Sequence, residues 1–213
     1  MKIAAIAKVI KDRASCHIVR IHGAEDTETS MFIGTSSELY SLEGFPKPRT
    51  EAEIMTMLGI QKKQWDDVIY REYLCDTEAD VCGMNLEDAL RDEVECRTSS
   101  ISLSIGGTLF MGLMTPDEKN IDFVAVSKLA PIMDEIKKSG YINYCLRYAA
   151  NGSRYYVVRD GMIVRAALLP ITLSDGLLKD MQNIVNMARN TAQQGGKTGE
   201  NNARQVHQCK QAD

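Results

Sequence analysis

The chain has 213 residues, of which 44% are hydrophobic and 25% charged, and its formal net charge is -4. That length allows one or two domains, and the composition is that of an ordinary soluble globular protein that folds without disulfides or metals. No apolar run approaches the roughly 20 residues of a membrane helix, and Lys8 interrupts the apolar start that a signal peptide would need. We therefore expect a cytoplasmic protein with no membrane partner.

Charge is unevenly distributed along the chain. Between Glu72 and Glu95 nine acidic residues stand against Arg91, a local net charge of -8 that leaves +4 for the rest of the chain. A charge run is usually a solvated face, but it can also bind a basic partner. The candidates for partner binding are Asp76, Glu78, Asp80, Glu87, Asp88, Asp92, Glu93 and Glu95.

The six cysteines favour neither disulfides nor a metal site. Without an export signal they are expected to be reduced thiols, and no two of them form the CxxC pair of a zinc ribbon. His17 and His22 are an odd number of residues apart, so a strand would point them to opposite faces. We predict neither a metal nor a cofactor.

Hydrophobic spacing predicts one helix and three strands over residues 1–46. The helix places apolar residues at i, i+3, i+4 and i+7, namely Ile3, Ile6, Ala7 and Ile10. An alternating strand over 16–21 follows, and then two short strands over 31–33 and 38–42. These elements would form a first αβββ unit.

Residues 47–97 are predicted to form an acidic helical insertion. Thr50 is a suitable N-cap for a first helix, because a glutamate follows three residues later. A second helix is predicted over 61–73 from the spacing of its apolar residues, and a third over 86–94.

Residues 98–171 are predicted to form a hairpin and a second αβββ unit. The hairpin joins strands over 99–105 and 108–113 through Gly106-Gly107, and a short strand over 121–126 then leads into a helix over 127–139. Three strands follow, over 141–149, 154–159 and 162–169, separated by Asn-Gly and Asp-Gly turns.

The order helix, strand, strand, strand, proline thus occurs over residues 3–46 and again over 129–170. Lysines lie outside the apolar stripe in both helices: Lys2 and Lys11 flank it and Lys8 lies opposite it in the first, and the second carries Lys128, Lys137 and Lys138. Two such units can share one core, so residues 1–46 and 98–171 would form one composite α+β domain. An amphipathic C-terminal helix over 172–190 and a disordered polar tail over 191–213 complete the prediction.

The second unit carries a resemblance to a known family. The segment Phe123-Val-Ala-Val-Ser-Lys-Leu129, the alternating strand 144–148 and the final Leu-Leu-Pro-Ile of 168–171 resemble the second half of a DNA sliding-clamp domain. The likeness is best over 121–171, and residues 3–46 match it by pattern. It implies two αβββ halves whose helices carry Lys and Arg toward a duplex inside a closed ring.

Clamp chains contain two or three such domains, whereas this chain offers one. Ring closure would therefore either need several copies, which would make the protein a homo-oligomer, or not occur. Residues 32–46 also resemble uncharacterised proteins of bacteriophages and mobile elements. This second resemblance implies a genomic setting but does not indicate an activity.

Two functions are expected. The first is a non-enzymatic clamp-like protein that associates with DNA or the replication machinery, with the six lysines of the two helices contacting phosphates. The alternative is a protein that inhibits or modulates a host nucleic-acid enzyme, using its acidic insertion to mimic phosphate. An enzyme is not expected, because no nucleophile, base and orienting group can be assembled from the residue spacings.

Overall fold

The computed structural model of the protein describes residues 1–22 and 28–173. By their contacts, residues 1–171 form one compact unit and 172–213 a second. The predicted C-terminal helix over 172–190 and the predicted tail over 191–213 lie, from residue 174 onward, outside the described residues.

The described part is a mixed α+β fold built on one mostly antiparallel sheet of ten strands. The strands are β1 (Ser15–His22), β2 (Glu28–Thr35), β3 (Glu38–Ser41), β4 (Ile69–Cys75), β5 (Val94–Ile105), β6 (Thr108–Met114), β7 (Ile121–Ala125), β8 (Ile142–Tyr148), β9 (Arg154–Asp160) and β10 (Ile163–Leu168). The helices are α1 (Ile3–Arg13), α2 (Glu51–Leu58), α3 (Lys62–Trp65), a 3₁₀ helix (Val126–Ile132) and α4 (Met133–Lys138).

The strand order is β4-β1-β2-β3-β10-β9-β8-β5-β6-β7. Its centre consists of two antiparallel three-stranded meanders, β1-β2-β3 and β8-β9-β10, which meet where Tyr40 pairs with Ala166 and Leu39 with Ala167. A helix precedes each meander in the chain. β4 adds to one end in parallel with β1, and the β5-β6-β7 strands extend the other end.

Glycines set the turns of the second meander, as the sequence predicts. Gly152 and Gly161 have φ angles of 79° and 62°, a left-handed conformation that other residues rarely adopt. The resulting tight turns bring β8, β9 and β10 into register.

One face of the sheet, called here the helix face, is covered by helices. Ile6 and Ile10 of α1 are fully buried there, together with Ile54 of α2 and with Leu129 and Ile132 of the 3₁₀ helix. α2 begins where predicted, since the Thr50 hydroxyl accepts a hydrogen bond of 3.2 Å from the backbone N–H of Glu53. The helical spacing read from the sequence therefore identifies this core correctly.

The opposite face is covered by an irregular segment, residues 76–93, which we call the strap. Val81 and Leu86 anchor it, at 0% and 1% exposure, in a second apolar cluster formed with the sheet. This face, called the strap face, buries Val19, Phe32, Tyr155, Val157 and Ala167 among others. The sheet thus has two cores, one on each side.

Three helix predictions need correction. Residues 61–73 contain the single turn α3 and then β4, because Ile69–Cys75 pairs with β1. Residues 86–94 contain no helix: they form irregular loop and turn structure until β5 begins at Val94. The helix over 127–139 is a 3₁₀ helix until Ile132, because Pro131 lacks an N–H and restricts the residue before it. The insertion over 47–97 is therefore only partly helical.

Candidate functional site

The lysines predicted to contact DNA belong to helices that lie on the helix face. Lys2, the residue before α1, contacts both the 3₁₀ helix and α4: its backbone N–H donates to the carbonyl of Pro131 at 2.7 Å, and its Nζ lies 3.0 Å from Asp134 Oδ1. Lys8, Lys11, Lys137 and Lys138 are exposed, and none of the four forms an ion pair with another described residue. We call these four the helix-face lysines.

Acidic residues also lie on the helix face. The hydrogen bond from Lys2, with Lys137 and Lys138 close by, lowers the pKa of Asp134. The charge of Lys2 is thus partly compensated within the protein, although its side chain is still 55% exposed. Of the six predicted lysines, the helix-face lysines are the four that are exposed and form no ion pair with a described residue.

Lys128 is not at the surface, so its predicted contact with phosphate is wrong. Its ammonium group is buried, donating to the carbonyls of Ser37 at 3.1 Å and Leu169 at 2.9 Å, and lies 3.4 Å from the Glu38 carboxylate. Burial lowers the pKa of Lys128, and the charge of Glu38 opposes that effect. Because the 3₁₀ helix turns this residue inward, Lys128 joins the turn between β2 and β3 to the residue that follows β10.

The acidic residues of the strap divide into two groups. Five have partners within the chain: Glu78 accepts from the Ser30 hydroxyl, Asp80 from the Gly83 N–H, Glu87 from the Asn85 side-chain amide, Asp88 from the Val164 N–H and Glu93 from two arginines. Asp76, Asp92 and Glu95 form the other group and are exposed, as Glu87 is, with Glu95 lying at the start of β5. Partner binding through Glu93 is therefore a wrong prediction, because its carboxylate is 94% buried.

Arg147 of β8 anchors the strap, a role that the sequence did not reveal. Its guanidinium donates to the carbonyls of Asn85 at 2.9 Å and Glu87 at 2.8 Å, and pairs with Glu93 at 2.6 Å. Arg159 pairs with the other oxygen of Glu93 at 2.8 Å. Arg147 is 3% exposed, so its bonds to the strap are shielded from water.

Tyr155 gives the strap a second polar anchor. Its hydroxyl donates to the carbonyl of Asn85 and accepts from the N–H of the same residue, both at 2.9 Å. Asp88, three residues later, binds the sheet through its carboxylate, which accepts a hydrogen bond of 2.9 Å from the Val164 N–H of β10. The strap is consequently held by hydrogen bonds to its backbone as well as by Val81 and Leu86.

No protein-family model, no curated protein and no solved structure matches the chain. None of the helices in the described ranges combines the length and apolar character that crossing a bilayer requires. Within residues 1–22 and 28–173, no three side chains of the His, Cys, Asp and Glu types come together as a metal site.

Proposed function

We propose that the protein is a non-enzymatic, clamp-like protein that associates with double-stranded DNA or the replication machinery through its helix face. The supporting observation is that α1 and α4 lie together on one face of a sheet made around two joined meanders, with four exposed lysines. Lysines without an intramolecular partner attract phosphates and release the counterions of DNA when they bind. Such contacts carry no base sequence information.

The proposal includes an oligomer and a setting. One such domain does not enclose a duplex, so several copies would be required to surround DNA, and the mass in solution would then exceed that of one chain. A cytoplasmic location and a bacteriophage or mobile-element origin belong to the same proposal. Light scattering with and without a DNA duplex measures the mass directly.

The test is DNA binding at two or more salt concentrations. We expect fluorescence anisotropy with unrelated duplexes to give similar affinities that weaken steeply as salt rises. Reversing Lys8 and Lys138 to glutamate removes about two phosphate contacts, so the slope of log affinity against log salt should fall by about 2.

The matched control reverses two charges away from the helix face. Lys119→Glu with Arg91→Glu changes the net charge equally. Lys119 is exposed in the loop between β6 and β7, and Arg91 is exposed in the strap. This control should retain the slope of the unmodified protein. Equal slopes for both variants, or no binding at low salt, would exclude the proposal.

The anchored strap favours a second candidate, a modulator of a nucleic-acid enzyme that mimics phosphate. Rigidly held carboxylates suit such mimicry, and Arg147 and Tyr155 hold the strap backbone from which Glu87 and Asp92 project. Deleting the strap would uncover the second apolar cluster, so deletion cannot test this candidate. Neutralising the exposed group instead, with Asp76→Asn, Glu87→Gln, Asp92→Asn and Glu95→Gln, should abolish capture of a basic host partner if the candidate is right.

A further inference from the structure

A cavity of about 410 Å³ lies on the strap face, beside the strap residues Cys82 and Met84. Apolar residues line part of it, chiefly Val19 of β1, Leu39 of β3 and Ala167 of β10. Polar groups line the rest. This size and mixture are typical of a site for a small organic molecule.

One side of the cavity is cationic. Arg71 of β4 is the register neighbour of His17 of β1, and both side chains line the cavity. Arg71 is exposed and forms no ion pair with any residue in the described ranges. A guanidinium without a carboxylate partner is suited to binding a carboxylate or phosphate through two parallel hydrogen bonds.

His17 adds a hydrogen-bonding group to the cavity beside Arg71. Its ring contacts Tyr73 with centroids 5.6 Å apart, and burial, followed by the charge of Arg71, lowers its pKa. The lowered pKa favours the neutral imidazole, which offers one donor and one acceptor.

The other side of the cavity offers hydrogen-bonding groups without a free negative charge. Ser36, Asn151 and Ser153 line it as turn residues. Glu38 also lines it, but this carboxylate is 2% exposed and already accepts from the Thr35 hydroxyl at 2.6 Å and pairs with Lys128 at 3.4 Å. The Glu38 charge is compensated within the protein, so it does not offset that of Arg71.

We propose that this cavity binds a small organic anion, whose carboxylate or phosphate pairs with Arg71 while its apolar body rests on Val19, Leu39 and Ala167. The site is independent of the proposed DNA contact, since it lies on the strap face and the helix-face lysines lie on the other. Absence of DNA binding would therefore leave the anion site intact as a proposal, and absence of anion binding would leave the proposed DNA contact intact.

The experiment is a ligand titration of the full chain followed by NMR, with phenylacetate, phenyl phosphate and the neutral phenylacetamide as probes. Both anions should bind, and phenylacetamide should bind at least ten-fold more weakly because it cannot form a charge-assisted bond with Arg71. Tighter binding of phenyl phosphate would assign a phosphorylated natural ligand, and tighter binding of phenylacetate a carboxylic acid. The imidazole signals of His17 should move when either anion is added.

Two variants test the site itself. Arg71→Gln should weaken anion binding about ten-fold or more, with little effect on the fold because the side chain is exposed on an edge strand. Ser153→Glu places a carboxylate at the opposite rim of the cavity and should weaken anion binding about as much as Arg71→Gln does. Arg91→Gln, an exposed strap residue that does not line the cavity, is the control and should bind like the unmodified protein.

Several results would overturn the proposal. Equal binding of phenylacetamide and phenylacetate would show that the cavity does not select an anion. Unchanged affinity in both Arg71→Gln and Ser153→Glu would show that the anions bind elsewhere, and no binding at millimolar probe would show that there is no such site.

Discussion

The two faces of the sheet are covered by different means. On the helix face, apolar residues at helical spacing, such as Ile6 and Ile10, bury themselves against the strands. On the strap face, a segment without helix or strand is held by Val81, Leu86 and the buried guanidinium of Arg147. Backbone hydrogen bonds within the strap join Val81 with Met84 and Leu86 with Glu78. Its other buried carbonyls need donors from the sheet, because a buried carbonyl without a donor is costly.

The charges differ between the faces as well. The strap holds seven of the nine acids between Glu72 and Glu95, whereas the helices carry seven lysines and five acids. Acids in the strap also serve the fold, since Glu93 and Asp88 bind groups of the sheet. Local net charge alone therefore does not distinguish a binding surface from an anchored one.

The largest expected effect comes from removing the anchor of the strap. Arg147→Met leaves the Glu87 carbonyl without its donor, the Asn85 carbonyl with the Tyr155 hydroxyl alone and Glu93 with one arginine, so the free energy of unfolding should fall by about 3 kcal/mol. Chemical denaturation measures this loss.

An exposed arginine provides the control for this variant. Arg97→Met breaks the pair between Arg97 and Glu118, whose side chains are 58% and 64% exposed, and should cost less than about 1 kcal/mol. Losses of equal size in the two variants would contradict the anchoring role of Arg147.

A smaller effect is expected on the helix face, where local capping supports the fold. Thr50→Ala removes the acceptor for the Glu53 N–H and should lower the free energy of unfolding by about 1 kcal/mol. Thr56→Ala, in the same helix, removes a hydroxyl that donates to the Ala52 carbonyl and should change it by less than half as much. Thermal unfolding of both variants measures the difference, and a greater loss for Thr56→Ala would count against the cap.

The smallest effect depends on pH and belongs to the strap face. The pKa of His17 is lower in the folded protein than in the unfolded chain, so the unfolded state binds the proton more tightly. Stability from this group is therefore complete above the ordinary pKa of about 6.5 and is lost as the pH falls through the folded value.

The titration of His17 can be followed by the NMR signals of its imidazole. In His17→Gln, the decline of stability below about pH 6.5 should be shallower than in the unmodified protein. Arg71→Gln should raise the pKa of His17, because the arginine charge contributes to its depression. A His17 pKa at or above 6.5 would refute this reasoning.

Local patterns predicted much of the sheet and the first helix. The Asn151-Gly152 and Asp160-Gly161 turns and the stripe of α1 depend on residues a few positions apart, so the sequence contains the whole signal. β4 was predicted as helix because Trp65, Val68 and Ile69 have helical spacing, but its pairing with β1 joins distant parts of the chain. No local pattern indicates such a partner.

The site residues show the same limit. Lys8 and Lys11 were predicted correctly as exposed, since they lie away from the stripe of α1. The burial of Lys128 was missed because its partner Glu38 is in the other meander. The polar residues at the strap-face cavity were likewise not predicted, since they come from four strands and two turns that only the fold brings together.

The junction of β3 with β10 has a consequence for how the chain folds. This strand pair joins the first meander to the last strand of the second, so it can form only after nearly the whole unit has been synthesised. Until then β3 presents an open edge with unpaired N–H and C=O groups, a template on which other chains can aggregate. Slow pairing of β3 with β10 is therefore expected to limit the folding rate, as in other proteins whose strands pair over long sequence distances.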